Sequence, residues 1–250
     1  MGLASPPQRP RSQLAGTLPG TVPPRDDALA AVRAGAWFSQ LPPALRQALI
    51  DDGSLRRLVA GETLFARGDR FDGLYCVASG TMQIHASGES GKAALLGLLE
   101  PGTWFGEICL FDGQPRTHDA FAMGPCTLLH IPQLALLALL DEQPVYWRQL
   151  ALLMSQKLRL TFINLEQLSL MPASTRVAHR LLMIADGYGQ LDQPRRVLQL
   201  PQEQLASMLS LSRQTTNQIL KDLQGQGIIG LAYGEIEILD AVRLRALATF

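Results

Sequence analysis

Two stretches of the chain carry side chains able to do recognition chemistry. The first, residues 212–223 (SRQTTNQILKDL), places Ser212, Arg213, Gln214, Asn217, Gln218 and Lys221 on the sides of a short helix that packing does not claim. Arginine offers a planar fork to guanine and glutamine a donor–acceptor pair to adenine, so this set suits the edges of DNA base pairs. The competing reading is a polar helix face that only meets solvent. The second stretch, residues 105–120 (FGEICLFDGQPRTHDA), suits an anion. Gly106 permits close backbone approach, and a short helix beginning near Glu107 would turn unpaired amides outward. Arg116 can fork onto a phosphate, Thr117 adds a donor, and Glu107 can accept from a sugar hydroxyl. The competing reading here is an Arg116–Glu107 ion pair that closes the loop of an unliganded unit.

The elements that must hold these residues follow from pattern. Residues 202–209 form a first helix before a tight connection at Ser210 and Leu211, with Ala206 at the crossing and Leu205, Leu209, Leu211 and Ile219 as shared core, which is helix-turn-helix spacing. Ser212 is a good N-cap. A strand at 197–200 and a hairpin over 228–239 would make the unit winged, although the wing offers Glu235 and Glu237 and no lysine or arginine. From residue 55 to 130, short apolar segments alternate with glycines; 74–77, 82–85, 94–99 and 127–131 are the clearest strands, and a closed antiparallel barrel hides their edges. Between 145 and 171, Ala151, Met154, Leu158, Thr161, Leu165 and Leu168 keep steps of three and four. That heptad stripe packs either on its own domain or on the same helix of a second copy. Pro172 ends it. The predicted fold class is α+β. Residues 1–25 form a proline-rich flexible tail, 26–143 an effector unit, 144–171 a dimerisation helix with Met154, Leu158, Thr161, Leu165 and Leu168 as its seam, and 172–250 a winged helix-turn-helix.

Composition narrows the function classes. Twenty-two basic residues balance twenty-two acidic ones, so affinity for nucleic acid must come from a local patch. Cys76, Cys109 and Cys126 are odd in number and widely spaced, which argues against a disulfide framework or structural zinc and for a reducing cytoplasm. The apolar run 128–140 is too short to span a bilayer, and the N-terminus lacks a secretory pattern. No metal is predicted. His85, His118, His130 and Met82 read as packing or surface residues rather than haem ligands, and the first 75 residues hold no cysteine for an iron-sulfur cluster. Glu107, His118 and Asp119 lack a nucleophile motif beside them, so no enzyme is predicted.

With both halves laid out, residues 28–240 resemble the cyclic-AMP receptor protein and fumarate-nitrate regulator (Crp-Fnr) superfamily of bacterial transcription regulators. The resemblance rests on VAGETLFARGDRFDGLYCVASGTMQI at 59–84, on the cassette at 105–120 and on the helix-turn-helix after them. It implies a jelly-roll cyclic-nucleotide-binding barrel, a homodimer, binding to double-stranded DNA and contact with RNA polymerase. It carries phosphate and ribose contacts onto Gly106, Glu107, Arg116 and Thr117, a base contact onto Thr161, and base reading onto Arg213, Gln214 and Gln218, with Ser212 toward the backbone. A cyclic nucleotide is the candidate effector. Phe162 stands where cyclic-AMP-binding members carry a serine, and His118 and Asp119 where they carry small residues, which departs from the usual mode for cyclic AMP. Gln214 and Gln218 replace a glutamate and an arginine, implying a different half-site.

Overall fold

The computed structural model describes residues 25–87, 93–189 and 194–249. The stretch read as a flexible tail, apart from Arg25, and residues 190–193 of the glycine-rich loop lie outside the described residues.

Three short helices open the described chain, α1 (Arg25–Ala34), α2 (Ala36–Ser39) and α3 (Pro43–Asp51). Eight strands follow: β1 (Ser54–Leu58), β2 (Thr63–Phe65), β3 (Gly73–Ser79), β4 (Met82–Ser87), β5 (Ala93–Leu99), β6 (Trp104–Phe105), β7 (Asp119–Ala122) and β8 (Cys126–Pro132). They make two four-stranded antiparallel sheets, ordered β1-β8-β3-β6 and β2-β7-β4-β5, as a jelly roll requires. The period of two along β3 explains why that strand reads as a continuous apolar run. Tyr75 and Val77 face between the sheets with Leu64, Met82, Phe105 and Leu128, while Leu74, Cys76 and Ala78 face out beneath the helices with Trp37, Leu45 and Trp104. The three cysteines are free and buried. Burial pushes their thiols up, that of Cys126 to about 11, so they pack rather than react.

Inserted between β6 and β7 is α4 (Ile108–Asp112), and α5 (Gln133–Glu142) follows the barrel. A single 3-10 turn, Pro144–Tyr146, then leads into the long helix α6 (Trp147–Leu170). The helix therefore starts two residues later than the heptad pattern suggests, because Pro144 and the next two residues tighten its first turn. Leu150 and Leu153 are buried, whereas Leu158, Phe162, Leu165 and Leu168 are 52%, 61%, 56% and 45% exposed.

Pro172 precedes α7 (Ala173–Ala185), after which come β9 (Val197–Gln199), α8 (Gln202–Met208), α9 (Arg213–Gly225), β10 (Ile229–Ala232), β11 (Glu235–Ile238) and α10 (Ala241–Ala248). The strands form a three-stranded antiparallel sheet, β10-β11-β9. Val177, Leu181, Leu205, Leu209, Leu220, Ile228, Ile236 and Leu244 share one core. Leu95 and Leu98 of β5 belong to that same core. The head is thus docked on the barrel's edge strand, with the Leu95 amide donating to Ser207 Oγ at 3.1 Å and Glu100 paired with Arg195. Among the described residues no helix is long and apolar enough to cross a membrane.

Candidate functional site

The residues read from sequence as suited to an anion come together around one cavity. Gly106 has φ +95°, and a Cβ there would lie 2.7 Å from Arg116 Nη1, so only glycine lets the loop close over the guanidinium. Glu107 leads into α4 as expected. Gly106, Glu107, Arg116, Thr117, Phe65, Ile84 and Lys157 line one cavity of about 180 Å³. Thr161 lines its neighbour, one turn further along α6.

The pairing inside that cavity differs from the ion pair considered from sequence. Arg116 does not meet Glu107. Its Nη2 donates to Asp72 Oδ1 at 2.5 Å and to the Gly73 carbonyl at 2.8 Å, and Nη1 donates to the Gly106 carbonyl at 2.9 Å. The guanidinium lies over the rings of Phe65 and Phe71, 4.3 and 5.0 Å from their centroids. Burial works against an ionised Asp72, but hydrogen bonds from Tyr75 and Arg116 and the charge of Arg116 outweigh it and hold the carboxyl below its ordinary value. Glu107, 1% exposed, instead accepts from Lys157 Nζ of α6 at 2.6 Å. Neither Asp72 nor Lys157 was singled out in the sequence. Lys157 had a local signal, standing one turn before Thr161 on the same helix; Asp72 lies 44 residues from Arg116 and had none.

The polar pair His118–Asp119 separates. The Thr117 hydroxyl meets His118 Nδ1 at 2.9 Å, while Asp119 accepts from Ser87 and from the Arg67 amide. The hydrogen bond from Ser87, then that from Arg67, lowers the Asp119 pKa. Thr161 donates its hydroxyl to the Lys157 carbonyl at 2.9 Å and remains exposed.

On the head, Ser212 caps α9, its Oγ accepting from the Thr215 amide at 3.0 Å. Ser210 takes φ +54° in the connection between α8 and α9, the left-handed step that turns one helix across the other. Thr216, Leu220 and Leu223 face inward and are buried, with Ile219 partly so. Arg213, Gln214, Asn217, Gln218 and Lys221 are exposed together. Arg213 Nη2 is 3.4 Å from Glu203 of α8, and Gln218 donates to Asp222 at 2.8 Å; both are solvent contacts that a stronger partner can displace. In the wing, Glu235 accepts from Gln199 and Glu237 lies 3.6 Å from Arg196, so the arginine just before β9 offsets part of the wing's negative charge. Tyr233, not singled out from sequence, stands fully exposed at the tip.

Residues 55–143 match the cyclic nucleotide-binding domain, and residues 175–247 match the Crp-like helix-turn-helix domain. A cyclic AMP receptor protein of Thermus thermophilus is 33% identical over 189 residues, covering 75% of this chain and 85% of the relative. The chain belongs to the Crp-Fnr family of transcription regulators. A CRP-like cAMP-activated global transcriptional regulator of Mycobacterium tuberculosis is 32% identical over 186 residues, covering 74% of this chain and 83% of its own. The crystal structure of a CRP/FNR-family regulator of Thermus thermophilus superposes with a TM-score of 0.64 at 28% identity, covering 78% of this chain and 98% of that one. This Crp-Fnr protein is therefore a DNA-binding transcription regulator rather than an enzyme, with the α+β architecture of jelly roll, long helix and winged head.

Proposed function

We propose that the protein works as a cytoplasmic homodimer, with residues 26–143 sensing a small effector, 144–171 joining the copies and two heads, 172–250, reading a palindromic site on double-stranded DNA. The observation that carries this is the run of apolar side chains on α6, from Leu158 through Phe162 and Leu165 to Leu168, left exposed on a single chain. A contiguous apolar strip of this kind is costly in water and is covered by an identical helix crossing it at a shallow angle, with Met154 and Thr161 completing the contact. DNA contacts fall to Arg213, Gln214, Asn217, Gln218 and Lys221, with Ser212 beside the backbone. RNA polymerase is the protein partner.

The effector we assign to the cassette is a cyclic nucleotide, its sugar-phosphate held by Gly106, Glu107, Arg116 and Thr117 and its base near Thr161. To enter, its phosphate must displace Asp72 from Arg116, and its sugar must displace Lys157 from Glu107. Both displacements lower affinity for the arrangement described, so the ligand acts by favouring a different one. The self-pairing of Arg116 with Asp72 also supports a second reading, in which the barrel is a ligand-independent scaffold for partner contacts. Thermal melting against a panel of cyclic mono- and dinucleotides separates them. A specific ligand at a hundredfold over its Kd adds about 2.7 kcal/mol of stability. In Asp72→Asn the empty protein melts lower, by about 1–3 kcal/mol, because Arg116 loses its counter-charge, and the nucleotide response grows. Absence of any nucleotide shift in either protein favours the scaffold.

A further inference from the structure

Both helices of the helix-turn-helix end in the same way. At the end of α8 the Ser210 amide donates to the Ser207 carbonyl at 3.2 Å and the Leu211 amide to that of Ala206 at 3.0 Å, with Ser210 left-handed. At the end of α9 the Gly227 amide donates to the Gln224 carbonyl at 2.8 Å and the Ile228 amide to that of Leu223 at 3.0 Å, with Gly227 left-handed at φ +69°. Paired bonds of this kind close a helix around one left-handed residue, but the carbonyl of the cap residue stays outside the pattern. In both places an arginine from a neighbouring helix takes it. Arg176 of α7 donates through Nη1 to the Leu209 carbonyl at 3.3 Å, and Arg243 of α10 donates through Nη1 to the Gln226 carbonyl at 2.9 Å. Each cation also sits at the negative end of the helix it caps.

These carbonyls lie at the two ends of α9, where the chain holds itself least firmly. Before α9, Ser210 carries a side chain in a backbone region that favours glycine, so the turn is strained. Beyond it, Gly225 and Gly227 flank Gln226, and a helix end made of glycines unwinds readily. Reaching the turn leaves Arg176 Nε buried without a hydrogen-bond partner, which is unfavourable for a guanidinium. We propose that Arg176 and Arg243 are positioning residues for DNA recognition, pinning the turn before α9 and its far end so that the helix meets the groove at one angle. The inference rests on the reading of α9 as the base-contacting helix. Contacts to base edges need their side chains held to within a fraction of an ångström. Attraction to phosphate charge does not, so a loosened α9 loses discrimination between sequences before it loses general affinity for DNA.

The test measures binding of the full chain, by fluorescence anisotropy, to the duplex that the parent selects from a random pool, to single-base variants of it and to unrelated DNA, with Tm alongside. Arg176→Gln and Arg243→Gln are each expected to bind the selected duplex about three- to tenfold more weakly and unrelated DNA as the parent does, so the ratio between selected and variant duplexes falls. The slope of log affinity against log salt stays that of the parent, since neither arginine neutralises a phosphate. Arg176→Lys and Arg243→Lys keep a cation that can donate to the same carbonyl, and they recover most of the ratio. A purely structural role lowers Tm and leaves the ratio alone. Arg243 is exposed, so Arg243→Gln decides the matter even where Arg176→Gln folds poorly. An effect from one arginine alone upholds the proposal for that end of α9 and overturns it for the other. The proposal is overturned outright if both glutamine variants keep the parent's base preference, or if they lose affinity equally on all DNA with a salt slope reduced by about one. Arg213→Ala tells this failure from that of the underlying reading: if it too binds every duplex as the parent does, α9 does not read bases and both fall, whereas a loss there beside unchanged glutamine variants removes the positioning role alone.

Discussion

Arg213 stands at the first turn of α9 with its guanidinium 3.4 Å from Glu203, in a pair exposed by about seventy per cent on either side. Such a pair contributes little to folding, so the residue is free to serve a base. Arg213→Ala is expected to lower affinity for a selected DNA site by about 1–3 kcal/mol and to relax preference at one base pair, while changing stability by less than about 0.5 kcal/mol; titration against single-base variants and thermal melting measure the two effects. The α9 set was legible because helical spacing separates Thr216, Leu220 and Leu223 from the polar faces within one short segment. The cassette was legible only in part. Its glycine, glutamate and arginine share a local pattern, but the carboxylate that neutralises Arg116 comes from the turn before β3, and nothing local announces it. Three histidines give a further expectation at this scale. Burial lowers the pKa of His85, His118 and His179 beneath the ordinary 6.5, and the Gln167 amide lies 3.0 Å from the His179 ring nitrogens, where a neutral ring can accept. As pH falls through about 6.5 the unfolded chain takes up these protons first, so the stability from neutral rings is full above that pH and is lost below it. Tm should hold between pH 8 and 7 and fall between about 6.5 and 5, and His179→Gln should flatten the decline.

At the scale of elements, α6 has two working faces. Leu150 and Leu153 anchor it to its own barrel, Lys157 reaches Glu107, and the stripe from Leu158 to Leu168 faces away. Leu158→Glu puts a charge into that stripe and is expected to yield monomers by sedimentation, with the barrel's own Tm little altered because Leu158 touches solvent in a single chain. The strands at 74–77, 82–85, 94–99 and 127–131 were readable from glycine punctuation, and each extends by one or two residues at one end or both. β6 has two residues, and β1 (SLRRL) and β7 (DAFA) carry charge, so hydrophobic alternation could not announce them. The closing helix α10 did have a signal in Asp240, whose side chain accepts from the Arg243 amide as an N-cap. The docking of β5 on the head was not legible, since Leu95 and Leu98 look like any other barrel side chains until Ser207 and the α7 core lie against them.

Across the whole molecule, the docked head leaves the polar face of α9 open to solvent, and the exposed stripe of α6 is the surface proposed for a second copy. These surfaces act together only if two chains present two heads, and a two-fold pair of heads requires a two-fold DNA site. Gln214 and Gln218 lack the charge of a glutamate or an arginine, so if they read bases as proposed the half-site is expected to lean toward adenine. Selection of bound duplexes from a random pool by the full-length protein, with and without a cyclic nucleotide, tests this most directly. The expected product is an inverted repeat with half-sites about one helical turn apart, centre to centre, recovered by the parent and lost in Leu158→Glu. Enrichment of a single asymmetric half-site, equally bound by Leu158→Glu, would contradict it.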